Sequence, residues 1–343
     1  MSSKNPLGVG IIGAGIMGHH HAGAFACDPR AQLRGVASLP LEGARELAER
    51  HGAPFFTDDY RKLLQRPDID LVTIATPDHL HREICVAAAQ AGKHFMVEKP
   101  LSTNLADGDA IIAAVKTSGV KAMVCFNHRW IMSYARARQA IEEGRIGRPV
   151  LAYARKNDRI YVPTKMLSWA AETTPAWFLS SHDIDLVLWF MEARAVEVYA
   201  TAVWGVLRGR GIDTPDAVQA QVRFEGGRVA TFEACWIYPD TYPSMTDSFI
   251  EVIGEKGVIH LPRDHEQIVM STNEAHEFPR TAIHTMVHGV QRGSVSDSIH
   301  HMIGCVIDDK APVVTMESSR HVTAILDAIH RSIASGRPET VDG

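Results

Sequence analysis

Apolar and polar positions in the first 125 residues switch repeatedly between two periods. Leu7–Ile12, Gln32–Ser38, Ile69–Ala75, His94–Val97 and Lys121–Cys125 are short apolar runs of strand type. Between them, apolar residues recur at helical spacing. One helix opens after Gly15 and runs to about Cys27, and Leu41–Arg50 is ended by Gly52. His81–Ala91 stops at Gly92, a natural residue just past a helix end, and Leu105–Thr117 follows. Ile69–Ala75 is almost continuously apolar, as expected of a parallel strand covered on both faces. Strands alternating with helices of this length predict βαβ units and a doubly wound parallel sheet of the α/β class.

After residue 125 the pattern changes. Tyr134–Glu143 reads as a helix ended by Gly144, and then strand-like stretches dominate: Val150–Asn157, Val196–Trp204, Ala217–Phe224, Arg228–Ile237, Phe249–Ile253 and Val258–Leu261. Glu225-Gly226-Gly227 and Glu255-Lys256-Gly257 are hairpin signals between them. The expectation is an α+β domain with a largely antiparallel open sheet, one face covered by a helix from about Ala176 to Met191. Residues 262–294 read as loop-rich, and helices Val295–Ile307 and Glu317–Ala334 close the chain. The expected division is 1–125 and 126–343, with the last helix, about 317–334, able to pack back on the first domain.

A chain of 343 residues accommodates these two domains. Its hydrophobic and charged fractions, 45% and 22%, are those of an ordinary globular protein. A net charge of −5 leaves no basic footprint for nucleic acid or a membrane surface. The five cysteines lack CxxC spacing and read as free thiols in a reducing compartment, so the expected location is cytoplasmic. No apolar run reaches a membrane span, and glycines break the N-terminal one, which argues against a signal peptide. Of the 18 histidines, several cluster, at 19–21, 79 and 81, and 300–301. None shows HExxH or Cys/His ligand spacing, so no metal is expected.

Three segments carry candidate chemistry. Gly13-Ala14-Gly15-Ile16-Met17-Gly18 follows a strand and opens a helix, the setting of a dinucleotide fingerprint. Gly13 allows the tight turn, Gly15 lets a pyrophosphate approach the backbone, and Gly18 lets helix and strand pack closely. The helix start around Ile16 and Met17 offers N–H donors to the phosphates. The second strand ends in Ser38 where NAD enzymes carry an acid that grips the ribose. Ser38, with Arg45 one helical turn into the next helix, leans the expectation slightly toward NADP over NAD. The second segment, Glu98-Lys99-Pro100, places a lysine at the C-terminal end of a parallel strand, where open α/β sheets bind ligands. The third, Ser181-His182-Asp183-Ile184-Asp185, starts a helix after Pro175.

GIIGAGIMG, ATPDHLH, AGKHFMVEKPLS, IEEGRIGRPV, HDIDLVLWF and VIGEKGVIHL occur in this order and span most of the chain. Together they resemble the Gfo/Idh/MocA family of NAD(P)-dependent sugar and inositol oxidoreductases. The resemblance implies that Lys99 and His182 meet, facing the nicotinamide, and that Thr76, Pro77, His81 and Glu98 line the cofactor side. It also implies a homodimer or homotetramer formed through the open sheet. Inositol dehydrogenase-like members carry an aspartate four residues before the histidine; here that position is Phe178. Asp185, three residues after His182, can share its face. Arg155, Asp158, Tyr161 and Trp236 are positional candidates for reading substrate hydroxyls.

Histidine starts near ~6.5 and lysine near ~10.4, so a base working near neutrality is more cheaply made from His182. Glu98 beside Lys99 makes losing the lysine proton harder still. The expected reaction is hydride transfer between a nicotinamide and a secondary alcohol or ketone of a sugar, inositol or related polyol. In it His182 is the acid/base and Lys99 a cationic donor that orients the hydroxyl. Two alternatives are an NAD-dependent redox-assisted glycosidase and a non-catalytic dinucleotide-sensing regulator.

Overall fold

The computed structural model describes residues 6–342 as two compact units. One comprises residues 6–130 and Ile283–Arg320; the other comprises Ile131–Ala282 and residues 321–342. The sequence-based division therefore differs in what returns to the first unit. The returning segment is 283–320, with the helix Ser294–Ile307, and most of the last helix belongs to the second unit. The physical reason lies in side-chain anchoring. Gln291 donates to the His20 carbonyl at 2.9 Å, and its backbone N–H points to the Cys27 sulfur.

The first unit is built on β1 (Leu7–Ile12), α1 (Ile16–Ala26), β2 (Ala31–Ala37), α2 (Leu41–Arg50), β3 (Phe56–Thr57), α3 (Tyr60–Leu64) and β4 (Leu71–Ile74). It continues with α4 (His81–Gln90), β5 (His94–Val97), α5 (Leu105–Ser118) and β6 (Ala122–Val124). The strands pair in parallel in the order β3-β2-β1-β4-β5-β6. The chain starts in the middle, so the order reverses between β1 and β4 and leaves a crevice at their carboxyl ends. Val9, Ile11, Val72 and Ile74 on those two strands are fully buried, which explains their unbroken apolar pattern. β3 and α3 escaped the sequence reading because a two-residue strand and a five-residue helix are too short for periodicity to register.

The second unit carries α6 (Met132–Glu142), β7 (Pro149–Arg159), a π-helical turn (Ala176–Ser180) and α7 (Ser181–Met191). Then come β8 (Ala195–Val203), β9 (Ala217–Phe224), β10 (Val229–Tyr238), β11 (Thr246–Gly254) and β12 (Gly257–Pro262). With a short C-terminal strand, Glu339–Thr340, these strands form a seven-stranded sheet in the order β12-β11-β7-β10-β9-β8 and the terminal strand. All pairs are antiparallel except β7 with β10. Strand alternation gives the sheet two faces. Ala152, Ala154 and Lys156 of β7, with Ala230, Phe232 and Ala234 of β10, are buried on the face that α7 covers. The stretch after β12 holds two small hairpins, Met270–Ser271 with His276–Glu277, and Thr285–Val287 with Val290–Arg292. No helix among the described residues is long and apolar enough to cross a membrane.

Candidate functional site

Each glycine of the fingerprint meets a different constraint. Gly13 has φ +103°, and a Cβ there would lie 2.3 Å from the Ala75 carbonyl oxygen. A Cβ on Gly18 would lie 2.0 Å from the Gly13 carbonyl oxygen, so helix and loop can approach only because it is absent. Gly15 caps α1 without a side-chain hydrogen bond, and a Cβ there would meet nothing within 4 Å. Open space over the uncapped start of a helix is what a pyrophosphate needs. Ile16 is exposed and Met17 half-buried beside it. The Ser38 hydroxyl oxygen accepts the Ala14 N–H at 3.0 Å, which fastens the loop to the end of β2 and leaves the hydroxyl hydrogen to donate elsewhere. Arg45 pairs with Glu42 at 2.6 Å on the exposed side of α2, so its charge is compensated locally.

The loops after β4 and β5 are tied together by one buried ring. His81, the first residue of α4, places Nδ1 2.8 Å from the Pro100 carbonyl and Nε2 3.2 Å from the Thr76 carbonyl. Burial outweighs these acceptors and the nearby carboxylates and holds its pKa below the ordinary histidine value. Glu98 is also buried: its Oε1 lies 3.0 Å from His21 Nε2. Burial pushes the Glu98 carboxyl up, but His21, Lys99 and the Cys125 thiol together hold it below the usual carboxylate range. Burial and then the Glu98 carboxylate push the Cys125 thiol well up, keeping it a protonated donor. His21, Glu98 and Cys125 place ligand-type atoms within 4.8 Å of one another. Thus His81 and Glu98 are buried behind the strand ends, while Thr76, Pro77 and Lys99 are half-buried there.

In the second unit, His182 is half-buried in the first turn of α7. Its neighbour Asp183 accepts from Lys156 Nζ at 2.6 Å, with 1% and 4% of the two side chains exposed. Burial lowers Lys156 to about 8 against the opposing pull of Asp183, and burial raises Asp183 against the pull of Lys156. Phe178 lies in the π-helical turn, edge-on to Trp169 and 6.3 Å from the Trp236 ring. Phe178 and Trp236 join Leu179, Leu207 and Ala234 in an apolar cluster.

Residues 7–126 match the model of an oxidoreductase family with an NAD-binding Rossmann fold, and residues 134–260 match the GFO/IDH/MocA C-terminal domain. Levoglucosan dehydrogenase of Pseudarthrobacter phenanthrenivorans is 32% identical over 78% of this chain and 77% of its own. The NAD(+)-dependent scyllo-inositol 2-dehydrogenase of Bacillus subtilis is 28% identical over 97% of this chain and 95% of its own. The solved structure of a levoglucosan dehydrogenase in complex with NADH superposes with TM-score 0.84 at 27% identity, covering 98% of this chain and all of that one. The chain belongs to the GFO/IDH/MocA oxidoreductase family.

As a GFO/IDH/MocA oxidoreductase it departs from the sequence reading at several substrate candidates. Trp236 is fully buried and spends its indole N–H on the Pro215 carbonyl at 2.7 Å, so it is a core residue rather than a hydroxyl reader. Arg155 lies on the sheet face opposite α7, where it donates to Asp247 at 2.7 Å and covers the Phe249 ring. Strand alternation separates it from His182, and residue spacing alone did not show which face it took. Asp158 shares the Lys156 face, is buried and accepts the Thr246 hydroxyl. Tyr161 is 37% exposed, its backbone N–H bound to Asp240, and Asp185 is 1% exposed on α7. The sequence reading passed over His21, Cys125 and Lys156. Lys156 is one of five consecutive polar residues, Arg155–Arg159, at the end of β7, so nothing in its sequence setting marked it as buried.

Proposed function

We propose that this family member transfers a hydride between a nicotinamide dinucleotide and a secondary alcohol or ketone of a sugar, inositol or related polyol. The observation that carries the reading is the Gly13–Gly18 cradle in the same unit as Lys99, whose backing carboxylate, Glu98, is buried and ionised. Levoglucosan dehydrogenase and scyllo-inositol 2-dehydrogenase as relatives support the substrate class.

The space over Gly15 and the uncapped start of α1 fit a dinucleotide. Gly13, Gly15, Ile16, Met17 and Gly18 would hold the pyrophosphate, Ser38 the ribose, and Thr76, Pro77 and Lys99 the nicotinamide end. When bound, the nicotinamide supplies the two-electron acceptor or donor. His182 removes the hydroxyl proton as the alcohol is oxidised and returns it in the reverse direction. The ionised Glu98 favours the ammonium form of Lys99, which donates to the substrate oxygen and stabilises negative charge as it develops. With no acid at Ser38 and Arg45 already paired to Glu42, we propose that NAD and NADP are both accepted, with only a slight lean to NADP.

The test is a panel of sugars, inositols and sugar acids assayed with each dinucleotide by the absorbance of the reduced nicotinamide. The expected result is stoichiometric cofactor turnover, with kcat falling ~10²–10⁴-fold in His182→Ala. Dinucleotide binding with no turnover across the panel would sink the catalytic reading. An unchanged kcat and pH profile in His182→Ala would remove that residue from the role.

A further inference from the structure

We propose that the buried Lys156–Asp183 ion pair positions His182 and sets the electrostatic field around its imidazole. The inference rests on the reading of His182 as acid/base. A buried pair of this kind needs a reason beyond stability, because replacing it with apolar residues of similar volume is often neutral or stabilising. Both side chains are almost completely buried, and their contact, at 2.6 Å, is short. The strand is shaped to admit the lysine: Ala154 precedes it on the same face, and its register partners are Ala234 on β10 and Ser248 on β11. Small neighbours leave a channel for a four-carbon stem whose charged end reaches the first turn of α7.

Asp183 is adjacent in sequence to His182, so fixing its carboxylate to β7 fixes the backbone turn from which the imidazole projects. A carboxylate in the first turn is also favoured by the helix dipole. The surrounding charges come from several elements. Arg263, just past β12, acts on both members of the pair, and Arg280 acts on Lys156. Tyr134 of α6 faces Asp183, Asp158 lies two residues along β7, and Asp185 lies two residues along α7. β10 contributes Ala234 and Trp236, neither of them charged. Arg263 pulls the Asp183 carboxyl down alongside Lys156, against the burial that raises it.

Removing either partner therefore moves the imidazole in opposite directions. Lys156→Met removes a buried cation from the neighbourhood of His182, which favours imidazolium, so the acid limb of kcat/KM moves up by ~0.5–1 pH unit. Asp183→Asn removes the carboxylate adjacent to His182, which disfavours imidazolium whether or not Lys156 keeps its proton, so the limb moves down by a similar amount. In both variants kcat falls about tenfold, while dinucleotide affinity, read by fluorescence titration, is unchanged. Lys156→Arg restores most of the rate and the wild-type profile.

Unmoved acid limbs in both single variants, with rate and melting temperature falling together, would make the pair a structural feature only. The double variant Lys156→Met/Asp183→Leu guards against misfolding, since it replaces the pair with apolar bulk. It is expected to melt near the wild-type temperature yet keep the reduced kcat; wild-type kcat in it overturns the inference. If the acid limb persists in His182→Ala, the acid/base assignment itself has failed, which is a separate outcome.

Discussion

Three glycines of one motif divide into structure and function by what a single added carbon would touch. Gly15→Ala puts a methyl into open space, so the free protein should tolerate it. The same methyl occupies the approach of a pyrophosphate, and dinucleotide affinity should fall about tenfold or more, the equivalent of ~1.4 kcal/mol. Gly13→Ala forces an L-residue to φ +103° against the Ala75 carbonyl, and Gly18→Ala drives a methyl into the Gly13 carbonyl. The Gly13 backbone costs an L-residue ~1–3 kcal/mol before any clash is counted, and the Gly18 methyl forces the loop to shift, so these two variants should lose stability as well as binding. Melting curves with and without NAD separate the classes. A large drop in the melting temperature of Gly15→Ala without ligand would show that Gly15 is structural, contrary to its open surroundings.

The element that joins the two chemical motifs of the first unit is the start of α4. His81 links the loop after β4 to the loop after β5, so Thr76 and Lys99 are set relative to each other by one imidazole. His81→Leu leaves the carbonyl that accepts the imidazole N–H without its donor, at ~1–3 kcal/mol if it stays buried and unpaired. Its melting temperature should drop, and dinucleotide affinity should weaken with it; unaltered affinity in a destabilised variant would limit His81 to holding the fold. Much of this was legible beforehand. The Ile69–Ala75 run, the helix from His81 and the strand His94–Val97 are visible in periodicity because each buries a continuous or single-sided apolar surface. The supports were not. His21, Glu98 and Cys125 come from α1, the end of β5 and the end of β6, and only the strand order brings them within reach of one another. Arg155 and Lys156 are adjacent in sequence but face opposite sides of β7, and no composition rule distinguishes which of the two meets α7. The π-helical turn before α7 was read as ordinary helix, because its apolar residues fit either winding.

At the scale of the whole molecule, the second unit has a sheet with one covered face and one face of mixed, accessible character. Strand alternation sends Leu151, Tyr199, Val203 and Val258 to the side opposite α7, each 42–61% exposed, with Tyr153 and Phe249 half-buried among them. Leu151, Tyr153, Phe249 and Val258 on the adjoining strands β7, β11 and β12 form one apolar patch and Tyr199 and Val203 on β8 a second, with polar residues of β10 and β9 between them; apolar surfaces of this kind mark interfaces. Charged and amide groups on the same side, among them Glu233, Gln219 and Arg223, bond mainly to neighbours within the sheet, which lowers the cost of covering them. The expected occupant is a second copy of the chain, giving a dimer or tetramer in sedimentation velocity at micromolar concentration. Tyr199→Glu combined with Val203→Glu sets two carboxylates into that face, where burial without a partner is costly. Both side chains point away from the α7-covered core, so the double variant should keep its melting temperature while the sedimentation coefficient drops to that of a monomer. A wild-type protein that already sediments as a monomer, or a double variant that still associates, would move the contact away from this face.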